Sequence, residues 1–110
     1  MGTRVFPGSR VGMANVRANI QTFGDYVEEY FDGVEGIRFI NLSYFPNYTA
    51  KVKAVKDDGQ TITRDMPISR HELREMLAGT TRELNVIDVH WTEIVVSIRN
   101  MGVVEVIVSY

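Results

Sequence analysis

The 110-residue sequence contains no cysteine. A disulfide framework, thiolate catalysis and cysteine-ligated zinc are therefore excluded within these residues. Only two histidines are present, His71 and His90, so nitrogen ligands for a metal ion are also scarce. The absence of cysteine fits a reducing compartment but does not prove one, since many exported proteins also lack it.

Long apolar segments and an excess of positive charge are missing as well. No segment approaches the roughly 20 apolar residues needed to cross a bilayer. The first residues contain Arg4 and Arg10 without a following apolar stretch, which is not the pattern of a secretory signal. The formal net charge of −2 lacks the positive surplus that nucleic-acid-binding domains usually carry. We therefore expect a cytoplasmic protein with no membrane segment.

The composition is that of a globular chain, with 45% hydrophobic and 24% charged residues. A chain of this length buries roughly 60–70% of its unfolded surface, which is enough for one core. The glycines and Pro7 near the start predict an irregular N-terminal arm over residues 1–12, with a short extended piece at Thr3–Phe6. Residues 13–110 are predicted to form a single α+β domain.

Two segments have the pattern of helices. Apolar residues at alternating spacings of three and four predict a helix over residues 13–31 and lie at Met13, Val16, Ile20, Phe23, Val27 and Tyr30. Gly33 is suited to the left-handed residue that ends this helix. Ser69 and Glu72 form a capping-box pattern that predicts a second helix over residues 70–78.

Three β-like segments lie between the helices. Ile37–Phe45 is rich in β-branched and aromatic residues, Tyr48–Lys56 alternates in polarity, and Gln60–Met66 follows. A two-residue turn at Pro46-Asn47 is predicted to join the first two strands, since proline presets φ at the first corner of a turn.

The register of the second and third strands depends on the loop Asp57-Asp58-Gly59. A three-residue loop with Gly59 in the left-handed conformation pairs Ala54 with Ile62 and Lys51 with Asp65. A two-residue turn would instead place apolar residues opposite polar ones. Matching apolar pairs and opposite charges favour the three-residue loop with a glycine bulge.

The C-terminal third is also rich in β-forming residues. In the long segment from Leu84 to Arg99 the apolar positions change parity near Thr92, which predicts a bend or a break at His90–Glu93. A last strand follows at Val103–Ser109. The order α-β-β-β-α-β-β, with one further strand if the long segment is broken, predicts an α+β fold with a largely antiparallel sheet of five to six strands and two helices.

Few residues have the pattern of a chemical site. His71 and Glu75 are four apart on the second predicted helix, and His90 could add a third ligand for a metal or a small-ligand site. The metalloprotease pattern requires a second histidine at the position of Glu75, so an exposed charged helix is the preferred explanation of these residues. No nucleophile motif or phosphate loop occurs. We expect a non-enzymatic protein with no catalytic residue, cofactor or metal.

Lys51, Lys53 and Lys56 lie close in sequence to Tyr44 and Tyr48. Lysines interleaved with aromatic residues on a sheet are typical of some modules that bind single-stranded nucleic acid. The same lysines also suit a solvated sheet that avoids edge-to-edge pairing. Nucleic-acid binding is therefore an alternative function, disfavoured by the net negative charge.

The strongest functional indication is an excess of apolar β surface. The predicted turn at Pro46-Asn47 places Ile40, Leu42 and Tyr44 on the face that holds Lys51 and Lys53. Two helices are too few to cover both faces of such a sheet, and an uncovered apolar patch usually marks a partner site. We therefore predict a small protein-interaction module that binds a protein partner or its own copy. An inhibitor, an immunity-type protein and an assembly subunit all fit this description.

The residues predicted to form this interaction surface include both apolar anchors and lysines. They are Ile40, Leu42, Tyr44, Lys51, Lys53 and Trp91. Aromatic residues of this kind often dominate the energy of an interface. The alternative is that the helices and the N-terminal arm divide between the two faces and bury every apolar side chain.

Overall fold

The computed structural model describes residues 2–7, 23–46, 48–77, 91–99 and 102–110. In chain order the elements are β1 (Thr3–Pro7), α1 (Phe23–Glu28) with a 3-10 turn at Glu29–Phe31, β2 (Ile37–Phe45), β3 (Thr49–Lys56), β4 (Thr61–Pro67), α2 (Arg70–Leu77), β5 (Glu93–Arg99) and β6 (Gly102–Ser109). Neither helix is long and apolar enough to cross a membrane. The predicted α+β class is confirmed.

The six strands form one sheet in the order β1-β6-β5-β2-β3-β4. All five neighbouring pairs are antiparallel. The predicted antiparallel sheet of up to six strands is therefore confirmed. The break predicted at His90–Glu93 agrees with β5, which begins at Glu93. The first part of the long C-terminal segment, before Trp91, lies outside the described residues.

The sixth strand comes from the N-terminus. Residues 3–7, which the sequence predicts as part of an irregular arm, form β1 and pair with β6 from Thr3↔Ser109 to Pro7↔Glu105. Gly2 and Tyr110 exchange backbone hydrogen bonds of 2.6 and 2.9 Å just beyond the strand. The extended piece predicted at Thr3–Phe6 is thus a strand of the sheet, and its pairing was not predicted because the unpaired edge of β6 supplies backbone partners that no local pattern reveals.

The local signals for helix ends agree with the structure. Gly33 has a φ of 82°, the left-handed conformation expected just after the first helical segment. At α2 the Ser69 hydroxyl accepts a hydrogen bond of 3.1 Å from the Glu72 backbone N–H. The Glu72 carboxylate accepts a longer bond of 3.4 Å from the Ser69 N–H, which completes the predicted capping box.

The first predicted helix is described only from Phe23 onward. Its predicted apolar residues Met13, Val16 and Ile20 lie outside the described residues. Val27 is fully buried, as its place on the predicted apolar stripe requires.

The β3–β4 hairpin has the predicted register. Ala54 pairs with Ile62 and Lys51 with Asp65. Gly59 has a φ of 89°, the left-handed conformation that a three-residue loop with a glycine bulge requires. The Lys51 ammonium group donates a hydrogen bond of 2.5 Å to the Asp65 carboxylate across the two strands.

The β2–β3 hairpin differs from the prediction by one residue. Phe45 pairs with Thr49, so three residues connect the strands, at positions 46–48, in place of the predicted two. The extra residue is Tyr48, which adopts a left-handed φ of 67°. Because side chains alternate along a strand, one added residue moves every side chain of β3 to the other face relative to β2.

The corrected register gives the sheet one covered face. Leu42 lies opposite Val52 and Tyr44 opposite Ala50, and all four side chains are fully buried. The helices pack on this side, because their buried residues belong to the same core cluster. The helix members of this cluster are Val27, Phe31, Leu73 and Leu77. One side of the sheet therefore holds the core.

A bulge in β6 decides which of its valines are buried. Ser97 pairs with Glu105 but Ile98 pairs with Val103, which leaves Val104 as the extra residue. Val103 is consequently buried with Val106 on the covered face, whereas Val104 is 49% exposed. Regular alternation along the strand would instead place Val104 on the same face as Val106.

Truncating Leu42 tests the assignment of the covered face. Leu42→Ala is expected to lower the free energy of unfolding by about 2–5 kcal/mol, because it leaves a cavity at a fully buried site. The matched control is Ser43→Ala, the neighbouring residue on the side of the sheet away from the helices, which should cost no more than about 0.5 kcal/mol. Urea denaturation followed by circular dichroism measures both. Equal effects at the two positions would contradict the assignment.

Candidate interaction surface

The side of the sheet away from the helices is called the open face here. Among the described residues, no helix packs on it, since both helices contribute to the core on the other side. Two rows of directly paired residues run across all six strands of this face. The central row is Pro7–Glu105–Ser97–Asn41–Lys53–Thr63, and the apolar row is Val5–Ile107–Val95–Ser43–Lys51–Asp65.

Most of the predicted interaction residues are core residues. Ile40, Leu42 and Tyr44 have exposed fractions of 1% or less, and Trp91 is 3% exposed. The prediction that these four form an uncovered surface is wrong, because the three-residue β2–β3 connection turns the first three toward the helices. Their burial by their own chain removes that part of the evidence for a docking site.

The two predicted lysines do lie at the surface. Lys51 and Lys53 are exposed on the open face, on the side opposite the aromatic Tyr44. The structure therefore separates the predicted anchors from the predicted charges and does not bring them together.

Trp91 and Tyr44 help to close the core beside α2. Their ring centroids are 5.7 Å apart at an interplanar angle of 47°. The guanidinium of Arg70 lies 5.1 Å from the centroid of the Trp91 ring, at cation–π distance. The indole is thus held between a strand residue and the first residue of α2, which is a structural role.

The Tyr44 hydroxyl is an energetically unfavourable feature of this region. It is buried and makes no hydrogen bond among the described residues. Burial raises the pKa of Tyr44 above its ordinary value, and the nearby backbone N–H of Tyr48 opposes the rise without reaching hydrogen-bond geometry. A buried hydroxyl without a partner costs about 1–3 kcal/mol.

One half of the open face is apolar. Val5, Ile107 and Val95 are adjacent members of the apolar row on β1, β6 and β5. Val5 is 58% exposed and Phe45, on β2, is 45% exposed, while Ile107 and Val95 are half-buried. The solvent-facing side of an antiparallel sheet is normally polar, so apolar side chains on three adjacent strands are unusual there.

The middle of the open face is polar. The Ser97 hydroxyl donates a hydrogen bond of 3.1 Å to the side-chain oxygen of Asn41 across β5 and β2. Within the described part of the chain, the amide nitrogen of Asn41 has no hydrogen-bond partner. Both N–H donors of the Asn41 amide therefore remain available to a group outside the described part of the chain.

Opposite charges flank this polar centre. Glu105 is half-buried on β6, and Lys53 is exposed on β3, both in the central row. Neither forms an ion pair among the residues that the structure describes. The open face thus has a negative site on one side of its centre and a positive site on the other.

The lysines do not form a purely basic patch. Lys51 is paired with Asp65, and both side chains are more than half exposed. Lys56 is half-buried at the end of β3 and lies on the side of the covered face. Glu93, Glu105 and the paired Asp65 bring negative charge to the same open face, an arrangement that disfavours phosphate binding.

The histidine on α2 is exposed. His71 Nε2 lies 3.5 Å from a carboxylate oxygen of Glu75, and the His71 side chain is 79% exposed. His90 lies outside the described residues. No cluster of three or more metal-ligating side chains occurs among the described residues. The structure therefore brings together His71 and Glu75, and it does not test the third predicted ligand.

Sequence reasoning missed the apolar and charged residues of the open face. The residues in question are Val5, Phe45, Val95, Glu105 and Ile107. A left-handed Tyr48 leaves no sequence signal, unlike the glycine of the next hairpin. The sequence pattern therefore predicts the wrong face of β2 as the uncovered one.

Tyr44→Phe is expected to stabilise the protein at neutral pH by up to about 1–3 kcal/mol, because it removes the unpaired hydroxyl. It should also reduce the loss of stability in alkali. Burial raises the folded-state pKa of Tyr44 above its unfolded value of about 10, so a pH above about 10 favours the unfolded chain, and stability falls until the pH passes the folded-state pKa.

Urea denaturation of both proteins at neutral pH and above pH 10 provides the measurement. Part of the alkaline loss should persist in Tyr44→Phe, because the pKa of Tyr26 is also raised, chiefly by burial. A parallel decline in the two proteins would show that folding does not raise the pKa of Tyr44.

Comparison of the chain with known proteins adds no identification to this geometry. No family model matches it, and neither the curated proteins nor the solved structures gave a significant match.

Proposed function

We propose that this protein is a small, non-enzymatic interaction module of the cytoplasm that binds a protein through the open face of its sheet. The observation that supports this most directly is the run of apolar side chains across β1, β6 and β5, continued by Phe45 on β2. These side chains remain accessible although the helices cover the other face. An inhibitor, an immunity-type protein or an assembly subunit would use such a surface.

The composition of the open face resembles that of a non-obligate interface. Such interfaces combine an apolar part with hydrogen-bonding groups and charges. The open face has its apolar part at Val5, Ile107 and Val95, and its hydrogen-bonding groups at Ser97 and Asn41. Phe45 is the aromatic residue best placed to act as an anchor, since aromatic side chains contribute strongly to binding.

Photo-cross-linking in cells tests the proposal. A benzoylphenylalanine in place of Phe45 is expected to cross-link to a protein, because this aromatic position lies within the proposed interface. The same amino acid at His71, which is exposed on α2 on the far side of the sheet, is the matched control and should give little product. Adding Val95→Asp to the Phe45 probe should abolish the product, since a charge in the apolar row disfavours burial.

Cross-linking of equal yield at Phe45 and His71, or no product at Phe45, would contradict a docking role for the open face. Circular dichroism of the Val95→Asp variant establishes that any loss of product does not come from unfolding. A product that persists in Val95→Asp would exclude the apolar row from the interface.

A further inference from the structure

Two opposite charges of the open face lie at equal distances from its centre line, which runs between β5 and β2. Glu105 on β6 and Lys53 on β3 lie in the same row, and each strand is second from its edge of the sheet. Three strand spacings separate the two residues, about 14 Å, which is too far for an ion pair within one chain. A partner with the same charges at the same spacing could satisfy both.

We propose that the partner of the open face is a second copy of this chain, related by a two-fold axis parallel to the strands along the centre line. The inference rests on the proposed function and names the partner of that surface. Rotation about this axis exchanges β6 with β3 and β5 with β2 and leaves each row in place. Glu105 then lies opposite Lys53 of the second copy, and the symmetry repeats the pair.

The same rotation matches the polar centre. Asn41 lies opposite Ser97 of the second copy, because the two residues are neighbours across the centre line in each chain. The free N–H groups of Asn41 are then placed to donate to that serine hydroxyl. Four polar side chains, two from each copy, would share hydrogen bonds at the middle of the interface.

The same arrangement covers the two apolar side chains of the apolar row that lie nearer the centre line. Ile107 lies opposite Lys51 of the second copy, whose aliphatic stem can cover an apolar side chain while its ammonium group stays with Asp65. Val95 lies opposite Ser43 of the second copy, a small residue that allows close approach. Ile107 and Val95 of each copy are thereby removed from water, whereas Val5, on the edge strand β1, lies opposite Asp65 of the second copy.

The dimensions suit a sheet-on-sheet dimer. Stacked sheets lie about 10 Å apart, a gap that extended glutamate and lysine side chains can bridge. Their strands align within about 30°, so the rows stay close near the centre. Six strands of about seven residues form a face of about 29 by 24 Å, close in area to the ~800 Å² per partner of stable interfaces.

Other two-fold axes bring like charges together. An axis perpendicular to the strands maps every strand onto itself, so the exposed lysines of β3 would stack on the lysines of the second copy. An axis along β6 would place Glu105 against Glu105. Of these axes, the one along the centre line places Glu105 opposite Lys53 of the second copy. Attraction between these opposite charges therefore favours it.

Charge exchange tests this arrangement. The wild type is expected to sediment at twice the monomer mass of 12.5 kDa. Lys53→Glu and Glu105→Lys should each weaken the dimer by about tenfold or more, because each places two like-charged pairs across the interface. An equimolar mixture of the two variants restores both opposite-charge pairs, and should form a heterodimer as tight as the wild type.

Lys56→Glu is the matched control, since it makes the same change in net charge on β3 away from the open face and should leave the dimer unchanged. Circular dichroism of every variant verifies the fold. A dimer that is insensitive to Lys53→Glu and Glu105→Lys would overturn this arrangement, as would a mixture that stays monomeric.

The outcome also separates this inference from the proposed function. The wild type could stay monomeric at submillimolar concentration while the Phe45 probe cross-links to a different protein. That result would contradict self-association and would still support docking through the open face. A wild-type dimer that is abolished by both single variants and regained in the mixture would support both.

Discussion

Side chains alternate between the two faces of a strand, and in this sheet that alternation decides which residues form the core and which can meet a partner. In β2 the half-exposed Ser43 lies between the buried Leu42 and Tyr44 in sequence. Once Leu42 lies opposite Val52, Lys51 must lie on the open face. The side on which the helices pack and the rows of the open face all depend on this one pairing.

That pairing requires an unfavourable backbone conformation at Tyr48. A residue with a Cβ in the left-handed region costs about 1–2 kcal/mol. Moving β3 by one residue would instead separate the buried side chains of β2 from those of β3, and each large apolar side chain is worth about 1.5–3 kcal/mol when buried. The burial of Ile40, Leu42 and Tyr44 is together worth more than the strain at Tyr48. The packing of the core therefore determines the conformation of the turn.

The open face differs from both a solvated sheet and a core. Val5, Ile107 and Val95 are apolar, whereas a sheet face exposed to water normally has polar side chains. Ser97 and Asn41 are polar, unlike the side chains of the core. A surface of this mixed kind is suited to association that retains hydrogen bonds and charges. The proposed second copy would use the hydrogen-bonding groups at the centre, the apolar Ile107 and Val95, and the opposed positions of Glu105 and Lys53.

The sequence by itself determined the features that depend on neighbours along the chain. These include the α+β class, the capping box at Ser69 and the hairpin loop with Gly59, because each has a local chemical signature. The tertiary structure decided the pairing of β1 with β6, the length of the turn at Tyr48 and the face on which Lys53 and Glu105 lie. Those features depend on which distant side chains are buried together, and a pattern with a period of two residues cannot distinguish one face from the other.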